Sequence, residues 1–184
     1  MAYNIIAENE DYTIVSDYQT IYRKSDKYQS EAQLEKEFIK TLTEQGYDYL
    51  PIHKEQDLVD NLRVQLQKLN DYTFTDSEWK RFFNDVIANQ NEGIEAKTAK
   101  IQEDHIQVLK RDTGETKNIY LIDKKNIHNN YLQVINQYEE EQGNHDARYD
   151  VSILVNGMPL VQIELKRSGV KLKEAFNPIN SYQR

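Results

Sequence analysis

Residues 149–166 have the sequence YDVSILVNGMPLVQIELK. It predicts two strands, at 150–155 and 160–166, joined by a tight turn at Asn156 and Gly157. An Asn-Gly pair between apolar, β-branched runs is the strongest short-range signal for a β-hairpin. Side chains alternate along an extended chain, so Glu164 and Lys166 share one face of the second strand. That strand is otherwise apolar, which predicts that it is buried and that its charges are paired or bind a metal.

The ionisable groups of this hairpin suggest a chemistry. Asp150 on the first strand and Glu164 on the second offer carboxylate oxygens, which suit a hard divalent cation such as Mg²⁺. Lys166 could orient or deprotonate a water molecule, or stabilise charge developing on a phosphate. The alternative is that Glu164 and Lys166 form a salt bridge on the solvated face of an edge strand, where alternating charges are common.

The register of the hairpin decides whether the two carboxylates can meet. A strict two-residue turn pairs Val155 with Met158, and therefore Asp150 with Ile163. Because directly opposed residues share a face, Asp150 and Glu164 would then point to opposite sides of the sheet. If both hold one metal ion, the register has to slip by one residue. We therefore predict a three-residue loop or a β-bulge within the hairpin.

The order of these groups resembles a known nuclease signature. Asp150, followed on the next strand by Glu164, Leu165 and Lys166, resembles the PD-(D/E)xK pattern, with Tyr149 in the place of the usual Pro. The continuation IELKRSGVKLKEAFNPINSYQR is more specific. It resembles the N-terminal nuclease domain of the motor and restriction subunit (R, HsdR) of type I restriction-modification enzymes, as do the segments NLRVQLQKLN and FTDSEW.

One departure from the family concerns the last helix. The family usually has a Gln four residues before a Tyr on the helix that follows the lysine. Here Tyr182 is present, but Pro178 stands at the Gln position. The departure affects the Gln contact and not the metal site.

The resemblance implies roles for individual residues. Asp150 and Glu164, helped by the carbonyl of Leu165, would bind Mg²⁺, and Lys166 would position or activate the attacking water. The basic residues after the strand would contact DNA phosphates, unless they only solvate an exposed loop. The predicted DNA contacts are Arg167, Lys171, Lys173 and Tyr182.

A further acid is predicted on a helix that Ser30 caps and Gly46 ends. Most helical glutamates are simply solvated. Nucleases of the resembled class often carry a Glu about three turns before a Gly-aromatic pair that begins the first strand. Glu35 has this spacing, which implies an outer metal-site or water-positioning acid. Glu31, one turn earlier, is the alternative.

Composition limits the remaining possibilities. The 184 residues carry a net charge of −8, which argues against a simple electrostatic DNA-binding module but not against a catalytic domain that a larger machine delivers to DNA. The absence of cysteine excludes disulfides and thiolate metal sites and favours an intracellular protein. No apolar run reaches the roughly 18 residues of a membrane span. A cytoplasmic location is therefore expected.

The expected fold class is α/β. It is a mixed sheet of four to six strands flanked by helices, a restriction-endonuclease-like core with a helical insertion at about 54–104. A short strand near 12–15 could pair with residues 5–6, and the aromatic residues Trp79, Phe82 and Phe83 are expected in the core. We expect residues 1–184 to form one nuclease domain. The chain ends at Arg184 in a helical pattern, which suggests a fragment of a longer protein.

The resemblance implies Mg²⁺-dependent cleavage of double-stranded DNA within a type I restriction complex. Its partners would be methyltransferase and specificity subunits, and ATP would drive a translocase that follows this domain. The alternative is a non-catalytic docking domain that joins a motor to its partner subunits. The acidic balance and Pro178 favour this alternative, and metal binding would distinguish the two functions.

Overall fold

The computed structural model describes residues 4–8, 13–16, 30–140 and 147–166. Along the chain, the strands and helices are β1 (Asn4–Glu8), β2 (Thr13–Ser16), α1 (Glu31–Glu44), β3 (Asp48–Tyr49), α2 (Glu55–Asn70), α3 (Asp76–Phe82), a π-helical turn (Phe83–Ile87), α4 (Ile94–Gln102), β4 (Ile106–Lys110), β5 (Thr116–Tyr120), a 3₁₀ turn (Ile127–Asn129), β6 (Leu132–Glu140), β7 (Ala147–Val155) and β8 (Met158–Ile163).

The main sheet has four strands in the order β3-β6-β7-β8. β3 runs parallel to β6, whereas β6, β7 and β8 are antiparallel to their neighbours, so the sheet is mixed. The predicted α/β class with a mixed sheet flanked by helices is confirmed. β3 has only two residues, and Leu50 beyond it still donates its N–H to the Val134 carbonyl.

Helix α1 begins and ends at the predicted residues. Ser30 accepts a hydrogen bond from the backbone of Gln33, whose side chain accepts one from the backbone of Ser30, which completes a capping box. Gly46 follows the helix at φ +94°, a conformation that favours glycine. The apolar side of α1 packs against the main sheet, where buried Leu42 joins Val134 and Val151.

The predicted helical block at about 54–104 contains α2, α3, the π-helical turn and α4. Thr75 caps α3 and Gly93 precedes α4. The aromatic prediction is confirmed, since Trp79 and Phe82 are buried and Phe83 packs against the same cluster. The buried part of this cluster contains Leu62, Leu66, Phe74, Trp79, Phe82, Leu109, Ile119, Leu121 and Met158.

Two smaller hairpins accompany the main sheet. β4 and β5 form an antiparallel pair, and Gly114 in the turn between them has φ +87°. β1 pairs with β2, and Ile5 lies opposite Val15, which confirms the predicted N-terminal pairing.

The β7–β8 turn is buried and closely packed. Asn156 has φ +52° and Gly157 has φ +82°, which fits the Asn-Gly signal of the sequence. The Asn156 side chain donates to the Leu121 carbonyl and accepts from the Tyr131 N–H. A Cβ on Gly157 would lie 2.6 Å from the Leu62 Cα, so the turn contacts the backbone of α2 directly.

One prediction about β8 is wrong. The apolar run predicts a buried strand over 160–166, but the strand ends at Ile163 and lies at the edge of the described sheet. Leu160 and Val161 are 38% and 45% exposed. The apolar composition suggested burial on both faces, whereas within the described residues an edge strand lacks a neighbour on one side.

Candidate metal-binding and catalytic site

A β-bulge sets the register of the β7–β8 hairpin. Next to the turn, Val155 lies opposite Met158, and Leu154 lies opposite Pro159. The next pair joins Ile153 to Val161, so Leu160 is one extra residue on β8. The predicted irregularity is therefore confirmed, and it is a bulge within the strand rather than a longer loop.

The bulge places the two predicted carboxylates together. The last pair of the ladder joins Val151 to Ile163, and the same register continued by one residue sets Asp150 opposite Glu164. Without the extra residue in β8, Asp150 would face Ile163 and Glu164 would point to the other side. One Asp150 oxygen, Oδ2, accepts a hydrogen bond of 2.8 Å from the Leu165 N–H, which ties β7 to the residues that follow β8.

Lys166 is paired with Glu164. Its ammonium donates to Glu164 Oε1 at 2.5 Å, and the two side chains are 28% and 16% exposed. The ion pair of the alternative interpretation is therefore present, but it is half-buried rather than on a solvated face. The hydrogen bond to Glu164 raises the pKa of Lys166, partial burial opposes this, and the negative charges of Glu164, Glu31 and Asp150 raise it further. Lys166 is a cation at neutral pH.

The carboxylate oxygens retain capacity for a cation. Within the described residues, neither Asp150 Oδ1 nor Glu164 Oε2 accepts a hydrogen bond. The part of the chain described by the structure contains no group of three or more His, Cys, Asp or Glu residues able to hold a metal ion. Two carboxylates nevertheless fit Mg²⁺, which usually keeps several waters and binds through one or two carboxylates.

Glu35 is held by two side chains of β6 rather than by Lys166. Its Oε1 accepts from Asn136 Nδ2 and its Oε2 accepts from Gln137 Nε2, both at 2.5 Å. Glu35 thus joins α1 to β6, the strand beside β7. Glu31, the alternative acid, contributes to the field around Lys166. Lys166 therefore has Glu164 as its ion-pair partner and lies in the electrostatic field of Glu31 and Asp150, whereas Glu35 is tied to the neighbouring strand.

Comparison with known proteins identifies the family. The family described as Type I restriction enzyme R protein N terminus matches residues 28–184. The chain belongs to this family. A curated relative, the Type I restriction enzyme EcoprrI endonuclease subunit of Escherichia coli, is 44% identical over 180 residues, which cover 97% of the chain and 57% of the relative.

Staphylococcal relatives are similar over a smaller share of their length. The Type I restriction enzyme SsaAORF53P endonuclease subunit of Staphylococcus saprophyticus is 39% identical over 162 residues, covering 85% of the chain and 17% of the relative. The SauCOLORF180P endonuclease subunit of Staphylococcus aureus is 38% identical, with the same coverage. The chain therefore spans only part of each of these relatives.

Several predicted residues of this R-protein N terminus lie outside the described residues. The predicted DNA contacts Arg167, Lys171, Lys173 and Tyr182 follow residue 166, where the described part ends. Their roles remain predictions. Among the residues that the structure does describe, no helix has both the length and the apolarity needed to cross a membrane.

Two residues next to the site were missed by sequence reasoning. Asn136 and Gln137 interrupt an apolar β run with two amides, which was the only available signal. The left-handed backbone of Gln137, at φ +53°, has no local sequence pattern that announces it.

Proposed function

We propose that this chain is the Mg²⁺-dependent endonuclease domain of a type I restriction-modification enzyme, comprising residues 1–184 and cleaving double-stranded DNA. The observation that carries the proposal is the bulged register of β7 and β8, which, continued by one residue, sets Asp150 opposite Glu164, the ion-pair partner of Lys166. Membership of the R-protein N-terminal family supports it, and so do the names of the relatives, which are endonuclease subunits.

The proposal extends to the assembly. Because the chain spans 57% and 17% of two relatives, the remainder of such proteins would supply the ATP-driven translocase. Methyltransferase and specificity subunits would be the partners, and sequence recognition would lie with them. A cytoplasmic location belongs to the same proposal.

Asp150 and Glu164 would hold the Mg²⁺ ion through their remaining oxygens, helped by the carbonyl of Leu165. Bound there, the ion would polarise the scissile phosphate and stabilise the leaving oxygen. The hydrogen bond from the Leu165 N–H fixes the Asp150 carboxylate, so its second oxygen is presented in one orientation. This preorganisation avoids rearranging the ligands when DNA arrives.

Lys166 would act as a cation in this site. Glu164 raises its pKa, so the ammonium holds its proton at neutral pH and does not serve as a base in the metal-free protein. An ammonium has three N–H donors, and Glu164 accepts from one of them. The others can orient a water molecule or stabilise negative charge on the phosphate.

The outer residues complete the proposed site. Glu35 is proposed as an outer acid next to the metal ligands, and Glu31 is the alternative because its charge acts on Lys166. The basic residues and the tyrosine after β8 are proposed to contact DNA. They are Arg167, Lys171, Lys173 and Tyr182.

A second function is favoured by one observation. In the half-buried Glu164–Lys166 ion pair, each charge has the other as its partner. A docking domain that retains the hairpin only as a structural element would have the same pair. Such a domain would need no metal affinity and no cleavage activity, although it could join the same complex.

Alanine variants in the complete restriction complex test the proposal. Asp150→Ala, Glu164→Ala and Lys166→Ala should each abolish DNA cleavage and leave the circular dichroism spectrum unchanged. Glu95→Ala, at an exposed position on α4, is the control and should cut normally. Cleavage retained by any of the three variants would contradict the assignment.

A further inference from the structure

We propose that Asn136 and Gln137 are positioning residues for the nuclease reaction, holding the Glu35 carboxylate against β6, the strand that pairs with the Asp150 strand. The inference rests on the proposed function and extends it to two residues of β6. Its basis is a clasp, defined as the Glu35 carboxylate with the two side-chain amides that donate to it.

The clasp requires a departure from regular strand geometry at Gln137. Consecutive residues of a regular strand point to opposite faces of the sheet, so two neighbouring side chains cannot both reach one carboxylate. Asn136 and Gln137 are consecutive, yet each donates to one oxygen of Glu35 at 2.5 Å. The left-handed φ of +53° at Gln137 is the local departure that allows this.

This departure lies directly across from a predicted metal ligand. In the β6–β7 ladder, Asn136 pairs with Val151 and Tyr138 pairs with Tyr149. The register therefore places Gln137 opposite Asp150, and this is the one position where pairing between those neighbours is interrupted. The Glu35 carboxylate is thus anchored to the residue facing Asp150.

The orientation of the Asn136 amide is fixed by a third residue. The Tyr49 hydroxyl donates to Asn136 Oδ1 at 2.9 Å. An amide whose oxygen accepts from a hydroxyl presents its N–H₂ group on the other side, toward Glu35. The carboxylate has about four acceptor positions and the amides occupy two, which leaves capacity for an ordered water.

A purely structural tie would not need Gln137. Helix α1 is already anchored to the sheet by buried Leu42 and by the apolar residues around it, and Asn136 alone would connect the helix to β6. A non-glycine residue in the left-handed region is disfavoured because its Cβ comes close to the following carbonyl oxygen. Strain of this kind persists where the surroundings impose it, and such positions concentrate at functional sites.

Gln137→Gly separates the two explanations. Glycine adopts the left-handed conformation without cost but removes the amide, so the backbone of β6 should be kept and its strain relieved. In the complete restriction complex, the variant should lose about tenfold or more in kcat with an unchanged KM for DNA, as expected when an outer partner of a metal site is removed. Its Mn²⁺ dissociation constant, measured by calorimetry, should rise by about tenfold.

A matched control and a double variant complete the test. Asp71→Gly makes the same change at another left-handed residue, φ +45°, at the end of α2 and away from the site. It should leave kcat and metal affinity unchanged. If Gln137 acts through Glu35, then adding Gln137→Gly to Glu35→Ala should cause no further loss.

The outcomes distinguish this inference from the proposed function. If Asp150→Ala still cuts DNA, the proposed function is wrong, and the positioning role of the clasp is wrong with it. If Asp150→Ala is inactive, the clasp is overturned by wild-type kcat or wild-type metal affinity in Gln137→Gly, or by additive losses in the double variant. Coupled losses in both quantities, with an unchanged unfolding midpoint, support it.

Discussion

Two pairs of acidic residues in this protein differ in how many hydrogen bonds their carboxylates accept. One pair, Glu78 and Asp112, lies where α3 meets β4, and the other, Asp150 and Glu164, lies at the end of the β7–β8 hairpin. Glu78 is 2% exposed and accepts from the Tyr72 hydroxyl and from the backbone N–H groups of Thr75 and Asp112. Burial acts to raise the pKa of Glu78, but these hydrogen bonds outweigh it and lower the pKa.

The second pair is only partly satisfied. Asp150 accepts a single hydrogen bond from Leu165, and Glu164 accepts a single one from Lys166, among the residues that are described. In the first pair the protein supplies the donors, so no cation is needed. In the second pair one oxygen of each carboxylate is left for a ligand. The number of hydrogen bonds that the protein donates to a carboxylate, rather than its burial alone, therefore distinguishes a structural acid from a candidate metal ligand.

Isosteric amide substitutions should affect the two pairs in the most different ways. Asp150→Asn and Glu164→Gln keep the shape and remove the charge, so cleavage by the complete complex should fall below detection while the fold is kept. Glu78→Gln should do the reverse. It should retain cleavage but lose about 1–3 kcal/mol of unfolding free energy, because one donor would face an amide N–H₂ group in a buried site. Cleavage assays measure the activity and urea denaturation measures the free energy of unfolding. Equal losses of activity and of stability in the variants of the two pairs would contradict the distinction between them.

The turn between β7 and β8 provides the next largest effect. Gly157→Ala should cost about 2–5 kcal/mol of unfolding free energy, because it adds left-handed strain and a Cβ 2.6 Å from the Leu62 backbone. Gly114→Ala is the matched control. Gly114 has φ +87° and an added Cβ would meet nothing within 4 Å, so the cost of Gly114→Ala should come from the left-handed strain alone. Equal losses of unfolding free energy in Gly157→Ala and Gly114→Ala would show that the close approach to α2 contributes nothing to the effect.

The smallest effect is a pH dependence of the structural pair. Hydrogen bonds from Ser77, Thr75 and Arg81 lower the pKa of Asp112 from 3.8 to about 2. A lowered pKa in the folded state means that this stabilisation is complete above about pH 4 and is lost as the pH falls toward 2. Wild type should therefore unfold at a higher temperature than Asp112→Asn at pH 6, and the difference should shrink between pH 4 and pH 2. A constant difference over this range would exclude the ionised carboxylate as its source.

Much of the fold could be predicted because its signals are local. Ser30 and Gly46 mark helix ends, and Asn156 with Gly157 marks the hairpin, since caps and turns depend on a few neighbouring residues. The bulge was predictable for another reason, because two carboxylates that share a metal require one register. The position of the extra residue at Leu160 was not predictable, because it depends on how the strand packs.

The parts that sequence reasoning missed depend on distant contacts. The edge position of β8 follows from the order of strands in the sheet, which an apolar run does not encode. The clasp at Glu35 joins residues about 100 positions apart in the chain. The helical acid was predicted from spacing, but its partners Asn136 and Gln137 were identified only once α1 and β6 were placed side by side.

Asp150 and Glu164 are proposed to bind a divalent cation, and titration with Mn²⁺ by calorimetry measures that binding in the absence of DNA. Wild type and Glu78→Gln should both bind Mn²⁺ saturably, whereas Asp150→Ala should show no saturable binding and an unchanged circular dichroism spectrum. Binding that survives Asp150→Ala, or no binding by wild type, would contradict the claim.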